Sequence, residues 1–258
     1  MTLFSQEYGT GHPLIILHGL LGSLDNWHSL STAFGKRFRV IAVDQRNHGR
    51  SPHSDEMTYA AMAADLLELL DRHAISSAHV LGHSMGGKTA MQFALNHPGR
   101  VDRLVVVDIA PRSYPPLHDE IFEALKAVEL SSMQSRQQID NALAVRVHNP
   151  AVRQFLMKNL ARTESGSFKW KANVPVLQNS YKEIARAIDS EKPFQKPAAF
   201  IRSSRSGYVL DSDGGDIQRL FPDARIISID AGHWIHAEAP ERFSELVLDF
   251  LTSSHSED

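Results

Sequence analysis

Cysteine is absent from the 258 residues of this chain. Disulfides, a thiolate nucleophile and cysteine-ligated zinc are therefore excluded, and a covalent catalyst of this sequence must use another nucleophile. No apolar run approaches the length of a membrane span, and the first residues, MTLFSQEYGTGHP, lack the basic and apolar regions of a secretory signal. We therefore expect a cytoplasmic protein.

An excess of one charge is also missing, since the formal net charge is -3 and lysine and arginine form no run. This balance argues against nucleic acid or an anionic membrane as a partner. Hydrophobic residues make up 42% of the chain and charged residues 22%, which is enough apolar material for a buried core. The length fits a single α/β domain that carries an insertion.

Short apolar runs alternate with helical patterns over most of the chain. Such strands, apolar on both faces, indicate a mostly parallel sheet with helices on both faces, an α/β fold. The predicted strands are 14–17, 38–43, 78–81, 101–107, 198–201 and 224–229. The predicted helices of this part are 25–35, 57–73 with Thr58 as its N-cap, the helix that begins at Met85, and 240–252.

The alternation stops between residues 112 and 196, where the pattern is helical throughout. Helices are predicted at 117–128, 133–147, 151–161 and 176–188. Because the chain then returns to the strand pattern, we interpret 112–196 as a helical cap inserted into a core domain formed by 1–111 and 197–258. A separate small helical domain with no role in the site is the alternative.

The sequence Gly82-His83-Ser84-Met85-Gly86 contains the pattern G-x-S-x-G. The pattern also occurs by chance in loops, so its context decides its meaning. Here a predicted strand precedes it and a predicted helix follows it, as in a nucleophile elbow, where glycines let a serine occupy a strained turn. We therefore predict that Ser84 is a catalytic nucleophile.

A serine hydroxyl needs a base within hydrogen-bond reach, and the chain has 14 histidines from which to choose. We favour His233, which follows a glycine in the short loop between the last strand and the last helix. His236, three residues further on, and His83, beside the serine, are its rivals. Sequence alone cannot decide between ring positions, because the choice is geometric.

The third catalytic member should be a carboxylate that orients the imidazole. Asp108 stands at the end of the strand 101–107, and Asp211 stands in the loop after Ile201. A carboxylate at a strand end is held more firmly than one in a loop rich in serine and glycine, so we favour Asp108. A turn-capping role for Asp108 is the alternative.

An oxyanion hole needs two backbone N–H groups. One should be that of Met85, immediately after the nucleophile, and the other should come from the glycine-rich turn His18-Gly19-Leu20-Leu21-Gly22. We choose Leu20 for the second donor, with Leu21 as the alternative. A phosphate-binding role for this turn is less favoured, because neither G-x-G-x-x-G nor a Walker pattern accompanies it.

Five segments in this order resemble the α/β-hydrolase fold family and, within it, the bacterial YbfF-type esterases: HGLLGS (18–23), DQRNHGRS (44–51), GHSMGG (82–87), VVVDIAP (105–111) and AGHWIHAE (231–238). The resemblance covers essentially the whole chain, including residues 173–177 of the cap. It implies hydrolysis of short-chain acyl esters or acyl thioesters, small-molecule substrates, without metal or organic cofactor. In this subgroup the acid follows the sixth strand instead of the seventh, which also points to Asp108.

Two other functions remain open. The start HGLLGSLDNW also looks like that of the menaquinone-pathway synthase that eliminates pyruvate, a lyase on the same fold. A lyase of this kind needs arginines that converge on its substrate carboxylates, and the candidates are Arg46, Arg112, Arg202 and Arg205. The second alternative is a catalytically idle ligand-binding module.

If the chain is an esterase, the cap should roof the site and limit acyl length. Its amphipathic helices are inserted next to Asp108, which puts their apolar faces above the strand ends. We expect cap residues such as Leu117 or Phe122 to set the chain-length preference.

Overall fold

A computed structural model describes residues 1–253 of the chain. Its strands are β1 (Ser5–Tyr8), β2 (His12–Leu17), β3 (Phe38–Val43), β4 (Ala78–His83), β5 (Val101–Val107), β6 (Leu160–Arg162), β7 (Phe168–Trp170), β8 (Ala198–Ser203) and β9 (Ala224–Ile229). In the described part, seven of them form one sheet in the order β1-β3-β2-β4-β5-β8-β9, and β6 pairs with β7 in a hairpin. Every pairing in the large sheet is parallel except that of β1 with β3. The predicted mostly parallel sheet is therefore confirmed.

The edge strand β1 is not predicted from the sequence. Its four residues, SQEY, are partly or fully exposed, so they carry neither the apolar run nor the alternation that marks a strand. It adds to the sheet because β3 offers an open edge, a partner that the local sequence does not reveal.

The register of the central strands brings their carboxyl ends to one level. Leu17 of β2 is opposite Gly82 of β4, and Val107 of β5 is opposite His83 of β4 and Ile201 of β8. In parallel sheets of this kind, ligands bind beyond the carboxyl ends of the strands. The loops that follow β2, β4, β5 and β8 therefore meet at one edge.

The helices are α1 (His28–Phe34), α2 (Tyr59–Arg72), α3 (Met85–Asn96), α4 (Asp119–Ala127), α5 (Arg136–Ala144), α6 (Pro150–Met157), α7 (Val174–Asn179), α8 (Tyr181–Ile184), α9 (Gly214–Leu220), α10 (Ile235–Glu238) and α11 (Pro240–Thr252). Thr58 caps α2 as predicted, because its side chain accepts a hydrogen bond from the backbone N–H of Ala61. Within the described range, every helix is too short or too polar to traverse a lipid bilayer.

Apolar side chains cover both faces of the sheet. On one face Leu66 of α2 and Phe93 of α3 lie in the larger buried cluster. On the other face Phe34 of α1 and Phe243 of α11 pack in a second cluster. This double cover explains why the central strands are apolar on both faces.

Between β5 and β8 the chain leaves the sheet, and this segment contains α4 to α8. The prediction that it is helical throughout is wrong at two places. Residues 160–170 form the β6–β7 hairpin, whose turn contains Gly166 with a positive φ of 84°. The predicted helix 176–188 is short and broken, since α7 and α8 flank Ser180 and no helix continues past Ile184. Three-residue strands are too short to show a period of two, so the sequence could not reveal the hairpin.

Candidate active site

Ser84 lies in the sharp turn between β4 and α3. Its φ of 52° and ψ of -119° form a conformation that side-chain-bearing residues rarely adopt. A Cβ atom on Gly82 would lie 2.1 Å from the carbonyl oxygen of Gly86, and one on Gly86 would lie 2.5 Å from that of Leu17. Only glycine fits at both positions. The G-x-S-x-G sequence therefore folds as the strand, strained turn and helix that the motif requires.

His233 lies between Ser84 and Asp108. Its Nε2 atom is 3.2 Å from Ser84 Oγ, and its Nδ1 atom is 2.7 Å from Asp108 Oδ2. Because an ionised carboxylate only accepts hydrogen bonds, Nδ1 carries the proton and Nε2 is free to accept the hydroxyl proton of Ser84. The structure thus brings the three predicted residues together in one hydrogen-bonded line.

Asp108 is held rigidly at the end of β5. Its side chain is fully buried, and its second carboxylate oxygen accepts a hydrogen bond from the backbone N–H of Ser203 at 2.8 Å. The backbone N–H of Asp108 donates in turn to the carbonyl oxygen of Ile201 at 2.9 Å. The neighbouring strand β8 therefore fixes both the backbone and the carboxylate.

The alternative acid, Asp211, has a different environment. Its side chain is 91% exposed and accepts a hydrogen bond from Arg202 at 2.5 Å. Within residues 1–253 it has no hydrogen bond or ion pair with His233. The geometry therefore separates the two carboxylates in favour of Asp108.

The two rival histidines support the site without a hydrogen bond to Ser84. His83 donates from Nε2 to the backbone carbonyl oxygen of His233 at 2.9 Å, because a carbonyl oxygen only accepts, and burial lowers the pKa of His83 well below the usual range. His236 is stacked on Trp27 with 4.4 Å between ring centroids, and burial lowers its pKa to about 3. His83 therefore fixes the loop that carries His233, and His236 packs against Trp27.

Tyr208 is part of the site, although the sequence analysis did not single it out. Its ring stacks on that of His233, with 4.0 Å between centroids and 20° between planes. This face-to-face contact limits rotation of the imidazole about its hydrogen bonds. Tyr208 follows a glycine in a loop without periodic pattern, and no local signal distinguishes it from other loop aromatics.

Hydrogen bonding distinguishes Leu20 from Leu21, the two residues of the glycine-rich turn that could supply the second oxyanion donor. The backbone N–H of Leu21 donates to His48 Nε2 at 3.1 Å, so it is not free for a substrate. Leu20 and Met85 have backbone N–H groups that donate to no acceptor in the described part of the chain. Leu20 and Met85 line one pocket together with Ser84.

Two neutral histidines hold this turn in place. His48 donates from Nδ1 to the carbonyl oxygen of Arg46 at 2.9 Å and therefore accepts at Nε2. His18 accepts a hydrogen bond from the backbone N–H of Gln45 at 3.0 Å and lies 2.8 Å from the carbonyl oxygen of Gly19 through Nδ1. Burial lowers the pKa of His48 to about 3 and that of His18 to about 4. Both rings therefore stay neutral near pH 7.

A cavity of about 210 Å³ opens beside Ser84. Apolar and aromatic side chains dominate its wall, as in most small-molecule sites. The segment 112–196 contributes His118, Ile121, Val152, Phe155 and Leu156.

The expected cap residues are not among those that line the cavity. Leu117 is 56% exposed on the surface, and Phe122 is fully buried in the core cluster. The expectation for these two residues is wrong, because neighbouring side chains of the same segment, those of Ile121 and His118, face the cavity instead.

The four arginines that a lyase would need do not converge on this cavity. Each is paired with a carboxylate elsewhere: Arg46 with Asp65, Arg112 with Asp213, Arg202 with Asp211, and Arg205 with Asp230. The site therefore offers no cluster of guanidinium groups to a polycarboxylate substrate.

A group that could hold a metal ion lies far from the serine. His12, His79 and Asp102 bring one ligand atom each within 4.8 Å of one another near the amino ends of β2, β4 and β5. His12 Nε2 lies 2.9 Å from Asp102 Oδ2, and the ammonium of Lys196 lies 4.0 Å from Asp102. This positive charge disfavours a cation there, and the group is at the opposite end of the strands from Ser84.

The chain belongs to the α/β-hydrolase family, since the family model for the alpha/beta hydrolase fold matches residues 12–240. It is 39% identical over 249 residues to esterase YbfF of Escherichia coli (strain K12), which covers 96% of each protein. It is 41% identical over 247 residues to sn-1-specific diacylglycerol lipase ABHD11 of Mus musculus, which covers 92% of this chain and 80% of the relative.

A solved structure described as a marine microorganism esterase has a TM-score of 0.94 and 42% sequence identity, and the match covers 96% of this chain and 99% of that one. The resemblance to YbfF-type esterases is therefore confirmed. Together with the intact serine site, these relatives identify the protein as an ester-hydrolysing enzyme of the α/β-hydrolase fold.

Proposed function

We propose that the protein is a carboxylesterase that cleaves short-chain acyl esters through an acyl-serine intermediate. Ser84 is the nucleophile, His233 the general base and Asp108 the acid that orients it. The observation that carries this proposal is the line of hydrogen bonds from Asp108 through His233 to Ser84, at 2.7 and 3.2 Å. Such a unit activates a serine hydroxyl, which is otherwise a weak nucleophile.

Acylation begins when Ser84 Oγ attacks the ester carbonyl carbon and His233 Nε2 takes the hydroxyl proton. The carboxylate of Asp108 stabilises the imidazolium that forms. The negative charge on the carbonyl oxygen is met by the backbone N–H groups of Leu20 and Met85, an oxyanion hole. The bond from the acyl carbon to the alcohol oxygen then breaks, and His233 returns the proton to that oxygen.

Deacylation repeats these steps with water. His233 Nε2 removes a proton from the water molecule, whose oxygen attacks the acyl carbon. Ser84 Oγ leaves and recovers its proton from His233, and the carboxylic acid is released.

The size of the cavity supports a short acyl group. Pockets for drug-sized ligands are typically about 300–1,000 Å³, whereas the space beside Ser84 is about 210 Å³. We propose that residues 112–196 act as a cap that closes this space through Ile121, Val152 and Phe155. Acyl thioesters belong to the same proposal, because the triad and the oxyanion donors act on the carbonyl group whichever atom leaves.

The test is a series of acetyl, butyryl, hexanoyl and decanoyl esters of one chromogenic alcohol, with a butyryl thioester as a further arm. We expect kcat/KM to be highest for the shorter acyl groups and Ser84→Ala to lower it by about 10³-fold or more. A preference for the decanoyl ester would contradict the short-chain assignment. Failure to turn over any ester would overturn the proposal as a whole.

A further inference from the structure

Lys88 is a buried cation that the proposed mechanism does not use. It lies one helical turn after the nucleophile on α3, where its backbone N–H donates to the carbonyl oxygen of Ser84 at 3.1 Å. Its side chain is among the largest that are fully buried, with 1% of the residue exposed. Lysines are almost never buried to this extent without partners.

The Lys88 amine contacts two stretches of backbone that connect the core and the cap. We call them the outgoing crossing (111–114) and the returning crossing (184–188). Nζ donates to the carbonyl oxygen of Arg112, where the cap begins, at 2.8 Å. It also donates to the carbonyl oxygen of Arg186 and lies 3.4 Å from that of Ala185, on the returning chain. A single amine therefore bonds to the outgoing and the returning chain at once.

The two crossings also bond to each other. The backbone N–H of Tyr114 donates to Ala185 at 2.8 Å, and that of Ile188 donates to Pro111 at 2.7 Å. These two backbone bonds hold the outgoing and the returning chain side by side. Lys88 attaches this pair of chains to the helix that carries the nucleophile.

Aromatic rings and one further cation surround the amine. The rings of Tyr114 and Tyr59 lie 4.8 and 5.9 Å from Nζ, within the range of cation–π attraction. Burial, together with the nearby guanidinium of Arg112, lowers the pKa of Lys88 to about 7. An uncharged amine still has two N–H donors, so bonds to carbonyl oxygens from both crossings are available in either protonation state.

A short series of contacts connects these crossings to the cavity wall. The returning chain follows α8, whose first residue is Tyr181. The hydroxyl group of Tyr181 is hydrogen-bonded to His118 Nδ1 and accepts from the backbone N–H of Leu117 at 3.3 Å. His118 lines the cavity together with Ser84 and His233. A shift of α8 would therefore displace His118, which forms part of the cavity wall.

We propose that Lys88 is a positioning residue that determines acyl-chain selectivity by fastening both cap crossings to the nucleophile helix. Through α8 and Tyr181, its amine sets the distance between His118 and the catalytic serine. This inference rests on the proposed function in one respect, namely that the cap limits the acyl group. Lys88 does not touch the reacting atoms, so its loss should alter substrate fit more than the chemical step.

The test compares Lys88→Met with Lys88→Arg and with the control Lys182→Met, which removes an exposed lysine of α8. The full-length variants are assayed with acetyl and decanoyl esters, and backbone hydrogen exchange is followed at 111–114 and 184–188.

For Lys88→Met we expect KM for the acetyl ester to rise about 10-fold, the magnitude that charged hydrogen bonds imply. Its kcat should change by less than about threefold because the triad is intact. The ratio of decanoyl to acetyl kcat/KM should rise, and exchange at both crossings should accelerate. Lys88→Arg should restore part of the selectivity, and Lys182→Met should behave as the parent.

Unchanged KM, selectivity and hydrogen exchange in a folded Lys88→Met would overturn the inference. If that variant does not fold, Tyr181→Phe tests the same series of contacts with Lys88 in place. The acyl preference should shift in Tyr181→Phe, and an unchanged preference would also overturn it. Failure of the proposed function is a distinct result, because the parent protein would then hydrolyse no ester.

Discussion

The side chain of His48 accepts a hydrogen bond from the backbone N–H of Leu21 at 3.1 Å. The bond joins two loops that lie after different strands, β2 and β3. Leu21 has a positive φ of 58°, a strained backbone that persists only where surrounding contacts hold it. His48 thus fixes the turn in which the neighbouring N–H of Leu20 remains free.

This relationship makes His48→Phe a test of the oxyanion turn. Phenylalanine keeps a ring but offers no acceptor to Leu21, so the turn loses one of the bonds that orient it. We expect kcat to fall by about 10-fold or more, since loss of one oxyanion donor costs about 10²- to 10³-fold, with little change in KM. His53→Phe, at an exposed ring, is the control. Steady-state kinetics with a butyryl ester are the measurement, and an unchanged kcat in His48→Phe would contradict the assignment of the turn.

The assignment of the acid makes a second prediction. Asp108→Asn keeps the size of the side chain but removes its charge, so His233 loses its preferred tautomer and the partner of its cation. By analogy with serine proteases, kcat should fall by about 10³- to 10⁴-fold near neutral pH. Asp211→Asn should have little effect, because Asp211 is exposed and paired with Arg202. A large loss confined to Asp211→Asn would reverse the assignment.

The residues that line the cavity make a third prediction. Phe155→Ala and Ile121→Ala should enlarge the space and raise the ratio of decanoyl to butyryl kcat/KM by about 10-fold, the scale of a few methylene contacts. Leu117→Ala is the matched control from the same part of the cap, since Leu117 is exposed. The comparison uses kcat/KM for each ester. An equal shift in all three variants would show that the cap acts on stability and not on the shape of the cavity.

The neutral histidines make a fourth prediction, which concerns stability. The pKa of His18 is lowered from 6.5 to about 4, and that of His48 from 6.5 to about 3. At pH values between 6.5 and these lowered values, the unfolded chain therefore binds more protons than the folded chain. The free energy of unfolding should therefore rise with pH across this window. The stabilisation is fully present above pH ~6.5 and is lost as the pH falls through the two folded values.

Each of these histidines should contribute up to about 1.4 kcal/mol per pH unit to the slope. The measurement is urea unfolding at several pH values between about 5 and 7.5. The slope should be smaller in His48→Phe than in the parent protein. Equal slopes would mean that His48 is not buried as a neutral ring.

Features with strict local geometry could be predicted from the sequence. The glycines around Ser84 mark a turn that other residues cannot adopt, and Asp108 and His233 follow strands whose apolar runs are plain. Since the ends of parallel strands meet at one edge, chain order alone places these side chains near one another.

Features that depend on distant partners could not be predicted. The choice between Leu20 and Leu21 is made by His48, 27 residues further along the chain from Leu21. Tyr208 owes its role to stacking on His233, and the orientation of α4 decides that Ile121 and not Phe122 faces the cavity. The local sequence around Lys88 is that of an ordinary helix, and its role depends on the carbonyl oxygens of Arg112 and Arg186, which are distant in the chain.

The proposed function requires that Ser84 is the nucleophile of an acyl-serine enzyme. Mass spectrometry of the protein, after reaction with a butyl phosphonate ester that carries a good leaving group, tests this role. We expect one phosphonyl group per chain, attached to the peptide that contains Ser84, together with complete loss of esterase activity. Ser84→Ala should remain unlabelled. Labelling at another residue, or full activity in a fully labelled protein, would contradict the claim.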